Sequence, residues 1–162
     1  TKLNSNIFYN HKTPKGRGDI SKIKLFKKEF YLIDESYNSN PLSLKSALKN
    51  FDMIKVSNSK KHLLLGDMLE LGKHSKKLHV EVSKFINRTS IYSVNVIGKY
   101  INETYKNLNK NKKGLILKKK LQIIDLIKNH INNNDYLMIK GSNSTGLNKL
   151  INDIKIGNIN AL

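Results

Sequence analysis

The chain has 162 residues, enough for one domain with a hydrophobic core of its own. It contains no cysteine, which excludes disulfide bonds, thiolate metal sites and a cysteine nucleophile. No apolar run approaches the ~20 residues that a membrane-spanning helix needs. The first residue is Thr1 rather than methionine, and we expect the chain to be part of a longer protein.

The formal net charge of +18 suggests nucleic-acid binding, but the type of basic residue argues against it. All but two of the 30 basic residues are lysine, whereas nucleic-acid readers favour arginine for bidentate contacts. The densest basic run, 106–120, contains no aromatic residue that could stack on a base. We therefore expect the charge to reflect a composition rich in Lys, Asn and Ile. A basic nucleic-acid-binding α/β module remains an alternative.

The N-terminal part of the chain differs in character from the rest. Residues 1–21 are polar and irregular and are predicted to be a tail or linker, which leaves 22–162 as the domain. Two short apolar runs, 23–26 and 30–33, then follow each other closely. They predict an antiparallel β-hairpin at the start of the domain.

Beyond the hairpin, apolar runs of strand length alternate with segments of helical periodicity. Asn40 is a candidate N-cap and Pro41 a suitable first residue for a helix with Leu44, Ala47, Leu48 and Phe51 inward. Further strands are predicted at 62–65, 91–97, 115–117 and 136–139, and further helices at about 75–87, 101–108, 121–131 and 145–154. This alternation predicts an α/β fold: a Rossmann-like, mostly parallel sheet with helices on both faces and an N-terminal antiparallel β-hairpin.

Three polar loops, 34–40, 66–72 and 140–146, follow predicted parallel strands. Because the C-terminal ends of parallel strands share the sheet edge where ligands bind, we expect these loops to converge on one site. Residues 141–146, Gly-Ser-Asn-Ser-Thr-Gly, have the glycine spacing of a phosphate loop but lack the lysine and hydroxyl residues that should follow. This segment is either an anion-accepting helix N-terminus or an ordinary capped turn.

Charged side chains in and near these loops are the candidate functional residues. Asp34 and Glu35 can act as an acid–base pair or bind a ribose hydroxyl, or they can close a strand-end turn. Asp67 and Glu70 can meet a cationic amine, or they can cap a loop. Arg17 lies between two glycines and can grip a phosphate in bidentate fashion, or it can lie in a surface turn.

The histidines and serines offer weaker signals. None of the five histidines has zinc-ligand spacing, and no metal site is expected within this chain. His79 follows the second polar loop and either faces the site or is packed against other residues. No nucleophile motif is present, so a covalent mechanism through serine is not expected.

Several segments resemble signature segments of one family. Residues 33–41, Ile-Asp-Glu-Ser-Tyr-Asn-Ser-Asn-Pro, are similar to I-D-D-S-Y-N-A-N-P, and residues 66–72 match G-D-M-x-E-L-G. Residues 78–82 resemble L-H-x-x-V, residues 140–142 match K-G-S, and residues 16–18 correspond to a glycine–arginine element. These segments resemble the C-terminal domain of the Mur ligase family, in the branch that adds D-alanyl-D-alanine to UDP-MurNAc-tripeptide. They span nearly the whole chain in the expected order.

The resemblance implies an ATP-dependent amide-bond ligase of peptidoglycan precursor synthesis in the bacterial cytoplasm. In such enzymes ATP activates a peptide carboxylate as an acyl phosphate, and Mg²⁺ offsets the charge on the phosphates. A central domain holds the P-loop and the metal ligands, and the C-terminal domain closes over its cleft. We therefore expect this chain to work with N-terminal and central domains and to be inactive alone.

The resemblance also implies roles for individual residues. It implies ATP-binding roles for Arg17, Asp34, Glu35 and Asn38, and substrate-binding roles for Asp67, Glu70, Lys140, Gly141 and Ser142. Within these sets, Arg17 would contact phosphate, Asp34 and Glu35 the ribose or adenine side, and Asn38 would orient the nucleotide. Asp67 and Glu70 would meet the dipeptide amine, and residues 140–142 its carboxylate.

Two positions depart from the family pattern. Glu35 stands where aspartate is usual, which keeps the charge but lengthens the side chain. Asn143 stands where arginine is common, so a grip on a carboxylate by that arginine is absent. A sister ligase that adds a single amino acid and a stand-alone nucleotide-binding domain remain alternatives.

Overall fold

A six-stranded sheet forms the centre of the computed structural model, which describes residues 16–157. Its strands are β1 (Asp19–Leu25), β2 (Lys28–Glu35), β3 (Lys61–Gly66), β4 (Ser93–Ile97), β5 (Lys113–Leu117) and β6 (Tyr136–Lys140). The helices are α1 (Pro41–Met53), α2 (Ser75–Ile86), α3 (Asn102–Lys106), α4 (Gln122–His130) and α5 (Leu147–Lys155). Each element overlaps the segment in which the sequence pattern predicts it, and only the ends differ.

The strands follow the order β1-β2-β6-β3-β4-β5. β1 and β2 are antiparallel, and every other neighbouring pair is parallel, which confirms the predicted fold class. β1 begins at Asp19, inside the segment predicted to be irregular up to residue 21, because the backbone pairs with β2 although the apolar alternation is absent there. Residues 1–15 lie outside the described residues, and the domain boundary at residue 22 stays a prediction.

Helices cover both faces of the sheet, and the strands supply side chains to both. Leu63 and Leu65 of β3 pack into a core with α1 and α2, together with residues around α3. Leu64, between them, packs on the opposite face against residues of α4 and α5. A central parallel strand buried on both faces needs apolar side chains in succession, which explains the run at 63–65.

Hydrogen bonds at both ends fix the position of α1. The Asn40 side chain accepts the Ser43 N–H at 2.8 Å, and Ser43 Oγ accepts the Asn40 N–H at 3.1 Å, which confirms the predicted N-cap. At the other end the buried Lys61 ammonium donates to the carbonyls of Asp52 at 2.7 Å and Ile54 at 3.3 Å. The start of α1 is therefore defined by its own cap, and its C-terminal end is attached to β3.

Candidate functional site

The loops after β2, β3 and β6 meet at the C-terminal edge of the sheet. β6 lies between β2 and β3, and α5 packs on the face opposite to α1 and α2. The connections therefore leave the edge in opposite directions and open a crevice, the usual ligand position in such sheets. The predicted convergence of the three loops is confirmed.

Ser142 joins the three loops through hydrogen bonds. Its N–H donates to the Asp67 carbonyl at 3.0 Å, and its hydroxyl accepts the Leu69 N–H at 2.9 Å. The same hydroxyl donates to the Ser39 carbonyl at 3.3 Å. Ser142 is 5% exposed, so these bonds are protected from water and the loops are fixed relative to each other.

The loops come close together because two glycines leave room. A Cβ atom at Gly66 would lie 3.3 Å from the Cα of Gly141 and 2.8 Å from Cδ1 of Leu147. Leu147, the first residue of α5, is buried above this contact. Gly141 therefore contributes by allowing the close approach of β3 and β6, and its predicted substrate contact stays a prediction.

The crevice contains two neighbouring cavities that share the side chains of Tyr37 and Asn38. The first, of about 410 Å³, is called the Glu70 cavity; its lining residues are Tyr37, Asn38, Leu69, Glu70, Ser142, Asn143 and Ser144. The second, of about 390 Å³, is called the Arg17 cavity; it is lined by Gly16, Arg17, Glu35, Tyr37, Asn38 and Lys140, together with one face of α1.

The two cavities differ in charge. Among the described residues, Glu70 is the charged side chain that lines the Glu70 cavity, so this cavity favours a cation. Arg17 and Lys140 line the Arg17 cavity against one carboxylate, that of Glu35, so it favours an anion. Most of the other lining side chains are polar, so both cavities offer hydrogen-bonding groups to a ligand.

The buried Lys140 and the partly buried Glu35 form an ion pair beside the Arg17 cavity. The Lys140 ammonium lies 3.4 Å from Glu35 Oε2 and donates to the Asn38 carbonyl at 2.8 Å. Burial lowers the pKa of Lys140 and raises the pKa of Glu35, and each charge opposes the shift of its partner. Because Lys140 is 2% exposed, its ammonium fixes the loop after β2 and offers little surface to a ligand.

Arg17 lies at the entrance to the same cavity. Its guanidinium carbon lies 4.4 Å from the centre of the Tyr37 ring, in a cation–π contact. The side chain is exposed, and the five N–H donors of a guanidinium suit a phosphate. Its position is consistent with the predicted phosphate contact, which stays a prediction.

Asp34 points away from both cavities. Its carboxylate accepts hydrogen bonds from the N–H and hydroxyl of Ser36, at 3.1 and 2.6 Å, and lies 3.0 Å from the Lys155 ammonium. Lys155 also pairs with Asp19 at 2.7 Å. Asp34 therefore ties β1, β2 and α5 together, and its predicted contact with the nucleotide is not supported by this geometry.

Asp67 is also occupied by protein groups. Its two carboxylate oxygens accept the N–H groups of Lys99, at 3.0 Å, and Ile101, at 2.7 Å. These bonds connect the loop after β3 to the loop after β4. The structure thus supports the capped-loop interpretation of Asp67, and the predicted contact with a dipeptide stays untested.

Glu70 differs from Asp67 in being exposed to the crevice. Its φ of +63° is a left-handed conformation that glutamate adopts rarely and at a cost.

The loop 141–146 forms a short 3₁₀ helix, Asn143–Thr145, before Gly146 caps α5. The side chains of Asn143 and Ser144 on this turn face the Glu70 cavity.

The structure distinguishes between the two alternatives for His79. His79 is fully buried; its Nδ1 lies 2.7 Å from the Ser75 carbonyl, and its Nε2 accepts the Met68 N–H at 3.3 Å. Of the two alternatives, His79 is therefore packed against other residues, and its Nε2 holds the backbone of the loop after β3. No group of three His, Asp or Glu side chains suited to a metal occurs within residues 16–157.

Some residues that line the cavities were not predicted. On α1, Ser43, Ser46 and Asn50 line the Arg17 cavity. Their spacing puts them on one polar face of the helix, a signal the sequence contained. Tyr37 lies inside the first signature, but its place between the cavities depends on tertiary packing.

None of the helices between residues 16 and 157 has the length and apolar character needed to span a membrane.

Comparison with known proteins relates this architecture to one family. A family profile described as "Mur ligase, glutamate ligase domain" matches residues 22–143. The chain is 32% identical over 141 residues to UDP-N-acetylmuramoyl-tripeptide–D-alanyl-D-alanine ligase of Rickettsia prowazekii. The aligned region covers 85% of this chain and 29% of that protein. It is 34% identical over 125 residues to the ligase of the same name from Buchnera aphidicola, with coverages of 76% and 26%.

A solved structure has the same fold. The MurF ligase from Thermotoga maritima in complex with ADP superposes with a TM-score of 0.73 at 20% identity, covering 90% of this chain and 32% of that one. The chain spans less than a third of the length of the relatives it matches. The profile match covers most of the chain, and the chain therefore belongs to the Mur ligase family.

Proposed function

We propose that this chain is the C-terminal domain of an ATP-dependent ligase that adds D-alanyl-D-alanine to UDP-MurNAc-tripeptide. The observation that carries the proposal is the 32% identity, over 85% of the chain, to a ligase named for this reaction. The opposite charge preferences of the two neighbouring cavities support it, because the reaction brings together a polyanionic nucleotide and the cationic end of a dipeptide.

The Arg17 cavity would take part of ATP as a substrate. Arg17 is exposed at its entrance and would contact a phosphate. Glu35 lines the same cavity and would accept a hydrogen bond from a ribose hydroxyl, with the adenine side toward the polar face of α1. Asn38 would orient the nucleotide from the boundary between the cavities.

The Glu70 cavity would take D-alanyl-D-alanine. The Glu70 carboxylate would hold the ammonium of the dipeptide, as a charge-assisted hydrogen bond. The dipeptide carboxylate would lie toward Ser142 and the turn Asn143–Thr145, where polar groups replace the arginine common in the family. Lys140 would act indirectly, by holding the loop after β2.

The chemistry proposed for the complete enzyme has two steps. The γ-phosphoryl group of ATP moves to the tripeptide carboxylate, which gives an acyl phosphate and ADP. The dipeptide nitrogen, having lost its ammonium proton, then attacks the acyl carbon, the amide bond forms and inorganic phosphate leaves. In this scheme the present chain binds and orients both substrates and, on closure, keeps water from the acyl phosphate.

Other parts of the protein would complete the site. Mg²⁺, when bound, would offset phosphate charge, and the described residues contain no cluster to hold it by themselves. We propose that central and N-terminal domains supply the metal ligands, the P-loop and the site for the UDP-linked end. The reaction would take place in the cytoplasm, where ATP is available, and the chain alone would be inactive.

Phosphate release by the full-length protein tests this proposal. UDP-MurNAc-tripeptide and ATP are supplied with D-alanyl-D-alanine, with single amino acids or without an acceptor, and the isolated chain is assayed beside it. We expect release that depends on the dipeptide and none from the isolated chain. Release with a single amino acid would assign the protein to a sister branch. No release with any acceptor would reject the ligase proposal, and salt-dependent polyanion binding would then be measured.

A further inference from the structure

The guanidinium of Arg17 packs against the ring of Tyr37. The guanidinium lies 4.4 Å from the ring centre, within the range of cation–π attraction. Arg17 is exposed, so without this contact its long side chain would sample many rotamers. The ring therefore restricts where the positive charge lies before any ligand arrives.

The backbone fixes both partners of this contact. The Tyr37 N–H donates to the Gly16 carbonyl at 3.1 Å, and the Gly18 N–H donates to the Asp34 carbonyl at 2.8 Å. Gly16 has a φ of +81°, and a Cβ there would lie 2.9 Å from the Tyr37 nitrogen, so a glycine is needed at this contact. The segment with Arg17 is thus attached on one side of the arginine to the loop with Tyr37 and on the other side to β2.

Tyr37 also has a special place in the crevice. Its side chain is 49% exposed and lines both the Arg17 cavity and the Glu70 cavity. One surface of the ring is available to Arg17, and the residue still forms part of the wall between the two cavities. The effects of a substitution at Tyr37 on a ligand of the Arg17 cavity and on a ligand of the Glu70 cavity can therefore be measured separately.

We propose that Tyr37 is a positioning residue that holds the Arg17 guanidinium ready for the phosphates of ATP. The inference rests on the proposed function, in which the Arg17 cavity takes the nucleotide. The contact is made by the aromatic face, because the cation is attracted by the ring quadrupole. Phenylalanine should therefore replace tyrosine here, whereas leucine, of similar apolar character but without a π-system, should not.

The test compares ATP binding in variants of the full-length protein. Tyr37→Leu should raise the KM for ATP about 2- to 5-fold, the loss expected for an exposed cation–π contact. Tyr37→Phe should stay close to the wild type, and Arg17→Ala should raise the KM more than Tyr37→Leu does. If Tyr37 acts through Arg17, adding Tyr37→Leu to Arg17→Ala should cause no further change.

Tyr92 provides a matched control. It is 51% exposed and has the Lys60 ammonium 4.0 Å from its ring centre, but it lies at the opposite edge of the sheet, before β4. Tyr92→Leu should leave the KM for ATP unchanged. Thermal unfolding of each variant, measured in parallel, detects any general loss of structure.

Specific outcomes would overturn the inference. The first is a rise in the KM for ATP in Tyr37→Phe as large as that in Tyr37→Leu. The second is a double variant in which the effects of Tyr37→Leu and Arg17→Ala on this KM multiply. The third is a change in the dipeptide KM alone. Failure of the proposed function would look different, since no turnover would depend on the dipeptide in any variant. In that case the dissociation constant for ATP, measured by calorimetry on the same variants, replaces the KM, and absence of ATP binding would reject the inference as well.

Discussion

Glu35 and Lys140 are the last residues of β2 and β6, and they stand opposite each other in the register of the sheet. The Lys140 ammonium lies 3.4 Å from Glu35 Oε2 and 2.8 Å from the Asn38 carbonyl oxygen. The ammonium thus pairs with the Glu35 carboxylate and also donates to the main chain three residues after Glu35, in the loop that follows β2. This arrangement connects the stability of the sheet edge to the shape of both cavities.

Lys140→Met should therefore weaken the fold and the site together. The variant keeps the apolar stem but removes charge-assisted hydrogen bonds, and the free energy of unfolding should fall by about 1.5–3 kcal/mol. The loop with Tyr37 and Asn38 should become less fixed, which should raise the KM for ATP. Urea unfolding and steady-state kinetics measure the two effects. Lys49→Met, on the exposed side of α1, is the control, and an equally small effect of both variants would contradict the prediction.

The contrast between Asp34 and Glu35 shows what the sequence alone can predict. The apolar run and the polar residues after it predicted the end of a strand and a polar loop that converges with others at the sheet edge, and the strand end and the convergence are both observed. Successive residues of a strand point to opposite faces, so one carboxylate faces the Arg17 cavity and the other faces Lys155 of α5. Which of the two faces the cavity depends on the register with β6, and that is a tertiary property.

The lysines give a second example. Lys61 and Lys28 donate to carbonyls at the C-terminal ends of α1 and α4, respectively. These two contacts satisfy carbonyl groups that a helix end leaves without partners. Lys112 donates to the Thr89 and Ile91 carbonyls in the connection between α2 and β4. In a chain this rich in lysine, nothing in the local sequence distinguishes these residues from exposed ones. Their roles depend on chain segments that are distant in sequence.

Asp67→Ala should separate a structural role from a substrate contact. The variant leaves the N–H groups of Lys99 and Ile101 without their acceptor, and the free energy of unfolding should fall by about 2 kcal/mol. The KM for the dipeptide should change little, because the carboxylate is directed at the backbone. Asp125→Ala, an exposed carboxylate of α4, is the control for stability. A large rise in the dipeptide KM at unchanged stability would instead support the substrate contact.

Glu70 should show the opposite behaviour. Glu70→Gln removes the charge proposed to hold the dipeptide ammonium, and loss of a charge-assisted contact should raise the dipeptide KM about 10- to 100-fold. Glu70→Gly should do the same without lowering stability. Glycine relieves the strain of a φ of +63°, roughly 1 kcal/mol, and loses a similar amount through its more flexible unfolded chain.

Kinetics and thermal unfolding of both Glu70 variants check this prediction. Ser144→Ala, on the other side of the same cavity, is the matched control and should have a smaller effect on the dipeptide KM. A dipeptide KM that stays at the wild-type value in Glu70→Gln would remove Glu70 from the proposed site. A fall in stability of Glu70→Gly would show that its side chain has a structural role.

A buried histidine lies at the opposite edge of the sheet from the site. His62 is 3% exposed, with Nδ1 2.8 Å from Ser93 Oγ and Nε2 3.2 Å from Asp135 Oδ2. Asp135 also accepts the N–H groups of Lys60, at 2.7 Å, and Asn132, at 2.8 Å. Burial lowers the pKa of His62 from 6.5, although the Asp135 charge opposes this shift.

The lowered pKa of His62 should make the fold sensitive to acid. Below about pH 6.5 the unfolded state binds a proton at this histidine that the folded state still excludes, so the free energy of unfolding should decrease as the pH falls. The slope cannot exceed about 1.4 kcal/mol per pH unit for one group, and it ends at the folded-state pKa. Urea unfolding between pH 7.5 and 5 should therefore show a flatter profile for His62→Gln than for the wild type. His74→Gln, at an exposed histidine, should follow the wild-type profile, and parallel curves for His62→Gln and the wild type would contradict the prediction.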